Sequence, residues 1–135
     1  MTKLDHIGVA VRDLEAALRF YTQVLGLTGA GRETLPERSL EIAFIPVGDT
    51  KVELLRPTGP ESAVAKFLET RGEGLHHLAF TVSDVEASLA RAREAGYTLI
   101  DEKPRPGAGG ALVAFVHPKS THGVLIEFCQ PGHHG

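Results

Sequence analysis

"HIGVAVRDLEAAL" at residues 6–18 returns as "HLAFTVSDVEASL" at residues 77–89, a shift of 71 positions. The shift sets His6 on His77, Val11 on Val82, Asp13 on Asp84, Glu15 on Glu86 and Leu18 on Leu89. It also sets Ala43-Phe44 on Ala114-Phe115. Farther along the register slips by three residues, and "VELLRP" (52–57) meets "IEFCQP" (126–131). Glu53 then meets Glu127, and Pro57 meets Pro131. The slip falls between "AFIPVGDTK" and "AFVHPKSTHG", which read as turns, where a small length change costs little. A repeat of this kind means two copies of one supersecondary unit.

Each copy reads as strand, helix, then three strands. Residues 5–11 and 76–82 are short and rich in β-formers. Asp13 and Asp84 stand where N-caps belong, because a carboxylate there accepts from unpaired N–H groups of the first helical turn. Leu14, Ala17, Leu18, Tyr21 and Leu25 follow helical spacing, and Gly26 and Gly96 are the expected helix stops. Residues 40–46 and 50–56 read as a hairpin across Val47-Gly48-Asp49. In the second copy, 97–102, 111–117 and 123–129 are the expected strands. A helix at about 61–71, stopped by Gly72, links the copies. "RPGAGG" (105–110) reads as a flexible loop within the repeat. The expected organisation is one domain over 1–135, with units at about 3–58 and 74–131.

Composition narrows the function classes. At 135 residues the chain is long enough for one real core. A formal charge of −3 argues against a nucleic-acid surface, which is normally basic. Cys129 is the single cysteine, so no internal disulfide builds the fold. No apolar run approaches the roughly 20 residues that span a bilayer. Asp5 and His6 interrupt the N-terminus, no apolar signal core follows, and the expected location is cytoplasmic.

The repeat singles out four residues. A strand His opens each copy and a strand Glu stands near its end: His6 and Glu53, His77 and Glu127. Side chains alternate along a strand, so His6 shares a face with Gly8 and Ala10, and His77 with Ala79 and Thr81. These small neighbours leave room. A lone strand His is usually a hydrogen-bonded structural residue, and a strand Glu can simply face water. The same pair recurring at matched positions points instead to one divalent metal, because buried carboxylates need partners. Imidazole and carboxylate donors suit Zn, Co, Mn, Fe or Ni better than Ca or Mg. Four such ligands leave positions open on an octahedral ion, as a catalytic metal requires. His76 aligns with Asp5 and reads as structural. His117 and His122 flank the second turn without counterparts, and His133 and His134 lie in a Gly-ended tail.

The sequence resembles the vicinal-oxygen-chelate superfamily, whose members pair two βαβββ units around a metal. The resemblance covers essentially the whole chain, and within the superfamily the match to the acyl-CoA epimerases is close. Its carriers are "LDHIGVAVRDLEAALRFYTQVLGL" (4–27), "VGDTKVELLRP" (47–57), "GLHHLAFTV" (74–82) and "GAGGALVAFVHPKSTHGVLIEF" (107–128). The last is the most specific. The resemblance implies an α+β fold of two tandem βαβββ units forming a curved mixed sheet around a metal-binding cleft. It implies one divalent ion per chain on His6, Glu53, His77 and Glu127, with Co²⁺ favoured and Mn²⁺, Ni²⁺, Zn²⁺ or Mg²⁺ as alternatives. Position 53 is Gln in some relatives, so Glu53 adds negative charge here.

The implied reaction interconverts (2R)- and (2S)-methylmalonyl-CoA by proton abstraction through an enolate. The resemblance gives catalytic roles to Glu127 and to Glu41. The latter departs from the repeat, since the 71-residue shift sets it on Leu112. The alternative reading of Glu41 is a solvated residue at a strand start. Gly109, Gly110, Lys119 and Ser120 are expected near the acyl-CoA, the glycines offering backbone N–H groups. A homodimer is expected; nucleic acid and membrane are not. Three other readings compete. A glyoxalase-type isomerase would use the same ligands. An extradiol dioxygenase needs only two His and one carboxylate on Fe(II). A non-enzymatic drug-sequestering module needs no ligands at all.

Overall fold

A computed structural model describes residues 2–132 of the chain, so His133 and His134 lie outside the described residues. The chain divides into two compact units, His6–His76, and His77 onward together with the residues up to Asp5. In chain order the elements are β1 (Leu4–Ala10), α1 (Leu14–Arg19), β2 (Arg32–Leu35), β3 (Leu40–Val47), β4 (Thr50–Pro57) and α2 (Ala63–Arg71). The second copy follows with β5 (Gly74–Thr81), α3 (Val85–Glu94), β6 (Arg105–Pro106), β7 (Leu112–Val116) and β8 (Ile126–Gln130). Strand order is β2-β3-β4-β1 in the first copy and β5-β8-β7-β6 in the second, so the two βαβββ units of the repeat are present.

Capping starts both helices as expected. Asp13 accepts from the Ala16 N–H at 3.0 Å, and Asp84 from the Ala87 N–H at 3.2 Å. Ser62 caps α2, and Gly72 stops it. The helices then diverge. α3 stays α-helical over ten residues. α1 gives way after Arg19 to a π-helical turn over Phe20–Val24, closed by the Leu25 N–H to the Phe20 carbonyl at 3.2 Å. Apolar spacing does not report that change of hydrogen-bond pattern.

Strand register sorts the strands of each unit into two faces. In the first unit β1 runs parallel to β4 with Gly8 beside Glu53 and Val9 beside Leu54. β3 runs antiparallel to β4 with Phe44 opposite Glu53 and Ala43 opposite Leu54. Ala43, Ile45 and Leu54 pack with Val11 and Leu14 of the α1 segment to form that unit's core. The opposite face carries His6 and Glu53. The second unit repeats the plan, with Ala79 beside Glu127 and Phe115 opposite it. Ala114 packs with Val85 and Leu89 of α3, partly buried Phe128 beside them.

Two expectations about the second copy need correction. Residues 97–102 form no strand; Leu99 makes only an isolated bridge to Val116. The strand in that place is Arg105–Pro106, inside the segment read as a loop. Pro104 and Pro106 lack N–H groups, which holds this edge to two residues. In the first copy β2 sits in a stretch, 32–35, that carries no clear alternation.

Candidate metal centre

Each unit buries one imidazole against one carboxylate. In the first, His6 Nδ1 lies 3.3 Å from Glu53 Oε2; in the second, His77 Nε2 lies 2.9 Å from Glu127 Oε1. All four residues are at most 7 % exposed. Register explains the placement. The small residues Gly8 and Ala79 stand beside the two glutamates, and the two histidines lie two positions earlier on the same faces. Burying a carboxylate is costly unless a cation or donors compensate it. Each pair offers one ring nitrogen and one carboxylate oxygen, a donor set that suits a borderline divalent metal. The residues present therefore fit the expected ion.

The second unit surrounds its pair with a further set. The Phe115 ring meets the His77 ring edge-on, with centroids 5.5 Å apart. The Arg105 guanidinium lies 5.7 Å from the centre of the same Phe115 ring. Asp101 ties the two together: Oδ2 accepts the Phe115 N–H at 2.8 Å, and Oδ1 lies 3.3 Å from Arg105 Nε. Sequence reasoning missed Asp101 and Arg105. The repeated Phe44/Phe115 pair was the available signal for this wall.

Glu41 has a different setting. Arg56 grips its Oε1 from Nε at 3.0 Å and from a terminal amino group at 2.9 Å. The register sets Glu41 opposite Arg56, two positions from the Ala43–Leu54 pair. Regular alternation puts Glu41 and Arg56 on the face that packs against the α1 segment, opposite the face of Glu53. The structure thus brings His6 to Glu53 and His77 to Glu127, but does not bring Glu41 onto the Glu53 face.

Of the expected acyl-CoA contacts, Gly109 (φ 66°) and Gly110 (φ 76°) hold backbone conformations that favour glycine. Ser120 Oγ accepts the Thr98 N–H at 2.8 Å, and the Lys119 N–H donates to His117 Nδ1 at 3.1 Å. These bonds order the turn and leave the Lys119 ammonium outside them. His76 points away from His77 and packs edge-on against Phe67 at 4.9 Å, the structural role expected of it.

The chain is similar to known proteins over most of its length. Residues 5–115 match the family model for the Glyoxalase/Bleomycin resistance protein/Dioxygenase superfamily. The chain is 38% identical over 130 residues to the ethylmalonyl-CoA/methylmalonyl-CoA epimerase of Cereibacter sphaeroides, covering 95% of this chain and 97% of that one. An uncharacterized protein of Bacillus subtilis is 43% identical over 131 residues, covering 97% and 94%. A solved methylmalonyl-CoA epimerase in complex with methylmalonyl-CoA and NH₄⁺ superimposes with a TM-score of 0.90 at 37% identity, covering 97% of this chain and 95% of that one.

Proposed function

The chain belongs to the Glyoxalase/Bleomycin resistance protein/Dioxygenase superfamily, and from that premise we propose that it interconverts (2R)- and (2S)-methylmalonyl-CoA. The observation that carries the reading is the pair of buried His–Glu contacts, one per unit, in a chain whose relatives include named epimerases over nearly their full length. We place His6, Glu53, His77 and Glu127 on one shared divalent ion, with Co²⁺ favoured. Such an ion supplies Lewis-acid stabilisation for negative charge developing on the thioester oxygen.

The chain's own groups handle the proton. The acidic hydrogen lies between a thioester and a carboxylate, and inversion needs acid–base groups on both sides of that carbon. Glu127 is the proposed group on one side. Its oxygen Oε1 faces His77 and its burial removes competing water. Glu41 is the proposed group on the other, on the resemblance and on its free oxygen: Arg56 holds Oε1, and Oε2 accepts from none of the described residues. The strand register puts Glu41 on the helix-packed face, and Glu41→Gln tests whether it takes the proton.

The test of the function is solvent-deuterium exchange into methylmalonyl-CoA by stripped and Co²⁺-reconstituted protein. Exchange and inversion that appear only on reconstitution are expected. Turnover of a glutathione hemithioacetal without any exchange into methylmalonyl-CoA would favour the glyoxalase-type reading instead.

A further inference from the structure

With the proposed divalent ion bound, the buried ligand set would be electrically balanced. Two glutamates cancel the charge of a divalent ion, and both histidines bind metal as neutral rings. A malonyl thioester adds a carboxylate and gains more negative charge as its proton leaves. The site therefore calls for a further fixed cation, and none of the four ligands supplies it.

Arg105 has that position. β6 pairs with β7 so that Arg105 stands opposite Val113, on the face that carries Phe115, Glu127 and His77. Its guanidinium lies over the Phe115 ring, which stands at right angles to the His77 ring. Asp101 steers Nε alone, and the terminal amino groups have no partner among the described residues. The side chain is 44% exposed, whereas Asp101 is only 14% exposed, so the anchor is sheltered and the donors are open. The backbone beneath is fixed too. The Gly107 N–H donates to the Ala111 carbonyl at 2.9 Å. A Cβ at Gly107 would lie 2.7 Å from Val113 Cγ1, so only glycine lets the loop lie this close to β7. A half-exposed arginine steered from one edge and backed by an aromatic ring is a preformed fork for an oxyanion.

We propose that Arg105 is the anion-binding residue of the acyl-CoA site, taking a carboxylate or phosphate oxygen of the substrate, with Asp101 and Phe115 as its positioning residues. This inference rests on the epimerase reading. Two inert ligands distinguish the sources of the oxyanion. Malonyl-CoA carries both the acyl carboxylate and the phosphates, whereas propionyl-CoA carries only the phosphates.

The experiment is calorimetric titration of Co²⁺-loaded wild type and Arg105→Gln with each ligand, with metal content and circular dichroism measured on both proteins. We expect Arg105→Gln to weaken binding at least tenfold with metal content unchanged. Loss confined to malonyl-CoA supports contact with the carboxylate, and equal loss on both ligands supports contact with phosphate. Arg105→Lys, which keeps charge without the fork, is expected to recover part of the affinity and serves if the Gln variant fails to fold. Unchanged affinity for both ligands in a folded variant overturns the proposal. Wild type that neither binds malonyl-CoA nor epimerises methylmalonyl-CoA would instead defeat the function on which it rests.

Discussion

The first unit buries His6 on Glu53 and the second buries His77 on Glu127, each pair opposite a phenylalanine, Phe44 or Phe115. Away from these pairs the units part. The first continues with a regular two-residue hairpin turn and a charged cross-strand pair, Glu41 with Arg56. The second sets Leu112 opposite Gln130 at the corresponding step, and adds the Gly-rich loop and the Asp101–Arg105–Phe115 cluster. What the two copies share is the buried His–Glu pair, the proposed metal-ligand chemistry. What they do not share is what a substrate with two unlike ends would require. On the proposed function, the difference separates holding an ion, which tolerates symmetry, from recognising one acyl thioester, which does not.

The largest expected effect strikes the shared part. Chelation with EDTA should abolish epimerisation, with Co²⁺ or Mn²⁺ restoring it. His6→Ala and His77→Ala should each lose metal and activity together, whichever unit is hit. Activity that survives in protein shown to be metal-free would remove the Lewis acid from the account.

Next comes the unshared carboxylate. As the proposed second base, Glu41→Gln should keep its metal and lose about 10²–10⁴ in epimerisation rate. Exchange from one substrate enantiomer should persist through Glu127, so inversion falls more than that exchange does. A wild-type rate with a lowered Tm would make Glu41 and Arg56 a strut on the helix-packed face, the role the register alone supports.

Smaller effects probe the scaffold. Asp13→Ala and Asp84→Ala each remove one N-cap and should cost about 1 kcal/mol, read by chemical denaturation. Equal costs are expected if the two caps are equivalent; a clearly smaller loss at Asp13 would show that the π-helical turn already frays the first helix. Cys129→Ser should leave epimerisation unchanged, since this buried thiol has no role in the proposed chemistry.

Much of this plan was legible in the sequence because the repeat is read twice. His6 and His77, or Asp13 and Asp84, confirm each other at fixed spacing, and the hairpin at 40–56 is announced by Gly48-Asp49. Features without a second copy were harder. The π-helical turn at Phe20–Val24 changes hydrogen bonding and leaves apolar spacing intact. β6 is only two residues between prolines, too short for alternation to register. The side on which Glu41 falls depends on its pairing with Arg56 across the hairpin, and the letters alone do not display that consequence. Arg105 opens the Gly-rich stretch that reads as a loop, so its place on the His77 face emerges only from strand pairing.

The central claim is that the two buried His–Glu pairs serve one ion, and metal stoichiometry tests it most directly. Stripped wild type titrated with Co²⁺ should take up one equivalent per chain in a single tight event. His6→Ala and His77→Ala should each weaken that same event, though they alter different units. Two equivalents per chain, with each variant losing one and keeping the other, would contradict the account.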